Sequence, residues 1–193
     1  EAWKYGERAF RYCQHDTGHA LAAMRMAAAM MGWDVRVLPG WSTASVFAVL
    51  GLDRDSDFAD AEPEEAACLC TVSPQTIDTA ALPRADAVIS ALHAGAWTGR
   101  ANRLSPGHVS WEWIDAVAEA SRVTAATVDS TAIAGPWTPI ERPGPCAVST
   151  ASTLLLQRRS AVDLDGHSTM PVEAFLFMLR RLLPGPWPPW DAF

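Results

Sequence analysis

The first strong signal in the pattern of apolar and polar positions is a buried helix. Residues 20–31 are apolar nearly all round, with Arg25 as the one charge, and a helix that is apolar on every face is typically buried. Asp16 or Thr17 is suited to cap its exposed N–H groups, and Gly32 follows it as a stop signal. The pattern therefore predicts a helix over about 16–31.

The remaining pattern alternates short apolar runs with turn-forming residues. It predicts strands over 35–38 and 66–72, and helices over 42–50, 86–93, 111–123, 153–159 and 171–183. Ser42 or Thr43 and Ser110 are the expected caps of two of these helices, and Gly51 is an expected helix end. The order helix, strand, helix, loop, strand predicts an α+β or α/β domain core.

Composition and charge exclude several classes of protein. The chain has 193 residues, is 49% apolar and 19% charged, and has a formal net charge of −7. A disordered tail would be less apolar and more charged. Net acidity without a basic block argues against nucleic acid as the main partner. No uncharged apolar run approaches the roughly 20 residues of a membrane span, so we expect no membrane partner.

Cysteine usage and the chain ends bear on location and domain organisation. Four cysteines in a chain of this length do not form a disulfide framework, which favours a reducing, cytoplasmic setting. Neither end has the features of a natural start or finish, so we expect the chain to be a piece of a longer protein. Residues 135–145 are rich in Pro and Gly, which predicts a linker.

Metal and nucleophile chemistry have weak support in the sequence. His15 and His19 are four residues apart, and Cys68 and Cys70 are two apart, but neither spacing completes a zinc motif. We therefore predict no metal. Cys146 lies in Pro-rich sequence without a neighbouring histidine, and no Gly-x-Ser-x-Gly turn or phosphate-binding Gly loop is present.

Two segments carry more specific chemistry. Arg158, Arg159 and Ser160 offer two guanidinium groups and a hydroxyl that suit a phosphate, although such a pair is more often a solvated helix end. Lys4 and Tyr5 would face opposite sides of an extended segment, and Gly6 permits a turn that brings them together. They could act as acid or base, or simply be surface groups. Lys4 is the only lysine, beside fourteen arginines.

The run from Trp3 to Tyr12, continuing through Gly18-His19 into the Ala-rich helix that ends at Gly32, resembles the nitroreductase superfamily. Within it, the run is most similar to the SagB-type dehydrogenases, flavin enzymes that oxidise azolines in modified peptides. Arg158-Arg159-Ser160, with the acidic turn and helix after it, resembles the start of a second such domain. The layout is similar to that of tandem SagB-type proteins.

This resemblance implies an α+β, nitroreductase-like fold that binds FMN at a homodimer or tandem pseudo-dimer interface. Residues 1–73 would be the C-terminal half of one domain, 74–150 a helical and Pro/Gly-rich connection, and 151–193 the start of a second domain. The implied function is FMN-dependent oxidoreduction of a small molecule or modified peptide, with hydride transfer between substrate and flavin N5.

The resemblance also implies roles for particular residues. Lys4 and Tyr5 would be the catalytic pair. The residues implied to bind FMN are Arg11, Leu38, Pro39, Gly40, Arg158, Arg159 and Ser160. Val162 departs from the family, which often has Lys or Arg there, and the first domain lacks its own Arg-Arg-Ser segment. The strand that ends at Ser73-Pro74 also lacks the glycine that often finishes an FMN phosphate site. Val162 and this missing glycine favour the alternative of a non-catalytic partner or dimerisation module that has lost flavin.

Overall fold

A computed structural model describes residues 2–38, 40–103, 105–107, 109–124 and 149–192. Its helices are α1 (Ala2–Tyr5), α2 (Ala9–Met30), α3 (Thr43–Leu50), α4 (Ala85–His93), α5 (Glu112–Ala120), α6 (Ala151–Gln157) and α7 (Val172–Arg180). Its strands are β1 (Asp34–Val37) and β2 (Cys70–Ser73), which pair antiparallel. This mixture of helices and a small sheet agrees with the predicted α+β class. The predicted linker, 135–145, lies outside the described residues.

The long helix begins earlier than the sequence predicts. α2 starts at Ala9 and not at Asp16, so the expected cap at Asp16 or Thr17 is wrong. The Thr17 hydroxyl donates to the Cys13 carbonyl, 2.9 Å away, which is a common arrangement for threonine inside a helix. The predicted end is confirmed, since α2 finishes at Met30 and Gly32 takes a positive φ of 72°.

The sheet is small because β1 supplies only four residues for pairing. Val35 lies opposite Val72, and Val37 lies opposite Cys70. One further backbone bond joins the Leu38 N–H to the Leu69 carbonyl at 2.9 Å. The strand predicted over 66–72 is therefore too long at its start, since residues 66–69 have no further β1 residues to pair with.

Asp34 fixes the end of this sheet. Its carboxylate accepts a hydrogen bond from Arg36 Nε at 3.1 Å and from the Ile77 backbone N–H at 3.3 Å. Burial alone would raise the pKa of Asp34, but these hydrogen bonds and the nearby guanidinium outweigh it and lower the pKa. The ionised carboxylate thus ties β1 to the chain that leaves β2.

The predicted limits of α3 are confirmed. The Ser42 hydroxyl accepts from the Ser45 N–H at 3.1 Å, which caps the helix. Gly51 ends it in the left-handed region, with φ 71°. A Cβ added at Gly51 would lie 2.6 Å from a ring carbon of Trp97. Glycine is required there for both conformation and space.

The core of the described residues lies where α2 crosses the sheet and the C-terminal segment meets both. Ala28, Val35 and Ala192 are buried together, with Met24 packed against them. Ala192 belongs to a 3₁₀ turn at Trp190–Ala192. The C-terminal segment, which the sequence predicts to start a second domain, therefore packs against α2 and β1 and completes their core. The three predicted domain segments stay a prediction.

The later helices agree with the sequence in position and differ at their ends. α5 begins after Trp111 without a side-chain cap, so the cap expected at Ser110 is wrong. α6 is capped by Thr150, whose hydroxyl accepts from the Thr153 N–H at 3.2 Å, and it begins and ends two residues before the prediction. α7 starts at Val172, one residue after the predicted Pro171, and ends at Arg180, three residues before the predicted end.

Within residues 149–183, side chains are exposed except for three of intermediate exposure, Thr153, Ala174 and Phe177. None of the helices in the described part of the chain combines the length and apolar character needed to cross a membrane.

Candidate functional site

Lys4 and Tyr5 lie together at the start of the chain. α1 is followed by a 3₁₀ turn at Gly6–Arg8, which Gly6 enters with φ 58°. The Lys4 ammonium lies 4.9 Å from the centroid of the Tyr5 ring. The segment is helical and not extended, and its geometry brings these two predicted catalytic residues into contact. Their catalytic role stays a prediction.

Two further residues extend this contact into a cation–aromatic cluster, defined as Lys4, Tyr5, Arg11 and Tyr12. The rings of Tyr5 and Tyr12 meet edge to face, with centroids 4.9 Å apart. The Arg11 guanidinium lies 5.8 Å from the Tyr12 ring centroid. Lys4 and Arg11 are exposed, whereas both tyrosines are half-buried. The cluster thus places each of two positive charges near the face of an aromatic ring, where the ring attracts it.

Gly6 is also the point at which α5 meets the cluster. A Cβ at Gly6 would lie 3.2 Å from two ring carbons of Trp111. The indole therefore packs directly on the backbone of the turn that follows Lys4 and Tyr5. Sequence reasoning missed this contact, because Trp111 is about a hundred residues away and has no periodic relation to the turn.

Leu38 and Gly40 line an apolar groove of about 660 Å³. Trp41, Leu82, Pro83 and Arg84 are among its other lining residues. A Cβ added at Gly40 would meet nothing within 4 Å, so the backbone there is open to a ligand. Pro39, the third residue predicted in this loop, lies outside the described residues.

One end of the apolar groove is charged. Arg84 donates from Nε and Nη2 to the two carboxylate oxygens of Asp86, at 3.2 and 2.7 Å. Because hydrogen bonds from Arg84 outweigh the effect of burial, the pKa of Asp86 lies below its usual value. Both side chains are mostly exposed. The guanidinium already has a carboxylate partner, so it is not a ready phosphate site.

Arg158, Arg159 and Ser160 directly follow α6 and are exposed. The Arg159 guanidinium donates to the carbonyls of Leu156, Gln157 and Arg158 at 3.4, 3.2 and 2.9 Å. Within the described part of the chain, no hydrogen bond or ion pair joins these three residues to the cluster or to the apolar groove. The structure therefore shows a solvated helix end at this segment.

A second pocket, of about 360 Å³, lies between the start of α2, the chain at 62–67 and the start of α5. We call it the acidic groove. Its apolar lining includes Phe10, Trp111 and Ile114, and its acidic lining consists of Glu62, Glu64, Glu65 and Asp115. Burial, together with the negative charges of Asp115 and Glu119, raises the pKa of Glu65 against the effect of Arg122. Sequence reasoning missed this groove, because its lining comes from segments far apart in the chain.

Nothing in the sequence indicates which residue neutralises the charge of Arg25. Its guanidinium donates from Nε and Nη2 to the carboxylate of Asp191, at 2.9 and 2.6 Å. Arg36 donates to the Asp191 backbone carbonyl at 2.8 Å. The charge inside the apolar helix is therefore neutralised by the C-terminal segment, 166 residues away in the chain. No local pattern could reveal that pairing.

These positions can be compared with what FMN requires, namely a slot for a flat ring and donors for a phosphate. The apolar groove suits the ring, and it contains the predicted Leu38 and Gly40. The predicted phosphate donors, Arg158 to Ser160, have no described contact with that groove. The residues described in one copy therefore do not fit FMN as a complete site.

Comparisons with known proteins identify no relative. No protein-family model matches the chain, and neither a curated protein nor a solved structure does.

Proposed function

We propose that this chain forms part of an FMN-dependent oxidoreductase of the nitroreductase superfamily, similar to the SagB-type dehydrogenases. In this proposal the fold is nitroreductase-like, and the apolar groove receives the flavin ring. The phosphate donors, which the described residues of one copy do not bring to this groove, are supplied by residues outside that one described copy. The observation that carries the proposal is the contact between Lys4 and Tyr5, with the Lys4 ammonium 4.9 Å from the Tyr5 ring centroid.

The proposed role of Lys4 and Tyr5 is to hold and move a proton at the substrate. FMN, when bound, would supply the hydride acceptor, because flavins carry that chemistry and the protein orients it. Because the substrate loses a hydride to FMN in that direction, it also loses a proton, and the Lys4–Tyr5 pair would have to accept that proton through a group that is deprotonated when it reacts. Arg11 and Tyr12 would support the pair from the next turn of the chain, through the ring contact of Tyr12 with Tyr5.

A large side chain introduced into the apolar groove tests whether the flavin ring binds there. Ala85 lines the groove and has intermediate exposure, so Ala85→Trp would place a large ring where the flavin ring is proposed to lie. We expect the dissociation constant for FMN to rise by at least about tenfold, which corresponds to roughly 1.4 kcal/mol. Quenching of FMN fluorescence on titration with protein measures that constant.

Ala161→Trp is the matched control, since Ala161 is exposed and outside the groove lining. An unchanged dissociation constant in Ala85→Trp, with circular dichroism like that of the original protein, would remove the groove from the proposed site. An equal loss of affinity in both variants would have the same consequence.

A second function, that of a non-catalytic partner or dimerisation module, is favoured by Val162. It stands where the family often has Lys or Arg, and its side chain is fully exposed. In that case the protein would form its complex without FMN, and added FMN would leave the complex unchanged. Sedimentation with and without FMN separates the two functions.

A further inference from the structure

α7 has an apolar face that its own chain leaves exposed. Val172, Phe175, Leu176, Leu179 and Leu183 are each between 44% and 60% exposed. Val172, Phe175, Leu176 and Leu179 lie on one side of α7, because they are spaced three and four residues apart, and Leu183 follows in the turn after the helix. Arg180 lies at the edge of this face. We call these six residues the α7 face.

The opposite side of the helix is partly covered. Ala174 and Phe177 are the residues of α7 with intermediate exposure. Just after the helix, the Arg181 guanidinium lies 4.5 Å from the centroid of the Trp187 ring. The α7 face lies on the side away from Ala174 and Phe177.

The acidic groove has complementary chemistry. Its floor includes the apolar side chains of Phe10, Trp111 and Ile114, and its lining has four carboxylates and no basic residue. Its volume of about 360 Å³ suits a few apolar side chains. An amphipathic helix that carries a positive charge beside its apolar face fits such a groove, because the apolar residues fill it and the cation meets its acids.

We propose that the α7 face of one copy docks into the acidic groove of a second copy. Both surfaces are on the same chain, so two copies can exchange the contact reciprocally around a two-fold axis. Arg180 is exposed beside the apolar residues of the α7 face, and the acidic groove has four carboxylates and no basic residue in its lining, so the two surfaces are complementary in charge as well as in apolar character. The proposal does not depend on flavin binding.

Disulfide cross-linking tests directly whether the α7 face of a second copy occupies the acidic groove. Cys13 lines the acidic groove and is exposed. Leu179→Cys would place a second thiol at the centre of the α7 face, and mild oxidation should join it to Cys13 of another copy. We expect a covalent dimer on non-reducing gels, with the cross-linked peptide that joins Cys13 to the introduced thiol identified by mass spectrometry. Val162→Cys, at an exposed position before α7, is the matched control.

The cross-linking experiment distinguishes three outcomes. The proposal is supported if Leu179→Cys gives at least about tenfold more disulfide to Cys13 between copies than Val162→Cys does. A bond within one copy of Leu179→Cys would overturn it, because the occupant would then be the same chain. Equal cross-linking by the two variants, or none, would also overturn it. No outcome depends on FMN, so failure of this proposal is distinguishable from failure of the proposed function.

Charge reversal supplies a second measurement that does not need a new thiol. Arg180→Glu should weaken the dimer by about tenfold in analytical ultracentrifugation, because it faces the acids of the groove with a like charge. Adding Glu64→Arg should recover most of that loss. Arg100→Glu, which reverses an exposed charge elsewhere, should leave the dimer unchanged. Equal weakening by Arg100→Glu and Arg180→Glu, or no recovery in the double variant, would overturn the proposal.

Discussion

Asp191→Ala should lower the free energy of unfolding by about 3 kcal/mol, because it leaves the Arg25 guanidinium buried without its carboxylate. The side chain of Arg25 is 10% exposed and that of Asp191 is 23% exposed. The same change also releases the turn that carries the buried Ala192. Urea unfolding followed by far-ultraviolet circular dichroism measures the difference.

Asp86→Ala is the matched control for this prediction. Asp86 also forms a two-point hydrogen-bonded pair with an arginine, Arg84, but that pair is largely exposed. Exposed ion pairs contribute little to stability, so its unfolding curve should coincide with that of the original protein. If Asp191→Ala also left the curve unchanged, docking of the C-terminal segment onto α2 and β1 would be contradicted.

Lys4→Ala should lower the turnover number by about 100-fold, the usual contribution of a positioned proton donor or acceptor. FMN affinity should stay within about twofold, because the proposed ring site lies in the apolar groove and not at the cluster. Lys4→Arg should lose as much turnover, since arginine keeps the charge but does not release its proton. A panel of an azoline peptide, a nitroaromatic and a quinone provides the substrates.

Arg8→Ala is the control for Lys4→Ala, because Arg8 is a neighbouring exposed cation outside the cluster. It should keep the original turnover. Full turnover in Lys4→Ala would contradict the catalytic assignment. Loss in all three variants, with altered circular dichroism, would assign Lys4 a structural role instead.

Local chemistry explains which parts of the fold could be predicted. Ser42 and Gly51 mark the limits of α3 because capping and left-handed conformations depend on single residue types. The start of α2 was missed because Asp16 and Thr17 suit a cap in isolation, yet inside a continuous helix the Thr17 hydroxyl simply bonds to the preceding turn. The length of β2 is set by the residues that β1 offers for pairing. The sequence of β2 alone does not contain that information.

The candidate site also has contacts that the sequence could predict and contacts that it could not. Lys4 and Tyr5 are neighbours in the chain and both lie in α1, so their contact is local and the sequence could suggest it. Trp111 against Gly6 and Asp191 against Arg25 depend on long-range packing, and no spacing rule predicts them. The acidic groove likewise needs three separate segments to meet. Arg158 and Arg159 have residue types suited to a phosphate, and their role in binding FMN stays a prediction.

The most direct test of the proposed function is the absorbance spectrum of the protein after incubation with FMN and gel filtration. We expect a flavin band at about 450 nm to co-elute with the protein, at about one FMN per copy or one per two copies where a dimer completes the site. Protein that elutes without this band, while folded by circular dichroism and in its native oligomeric state, would contradict an FMN-dependent oxidoreductase.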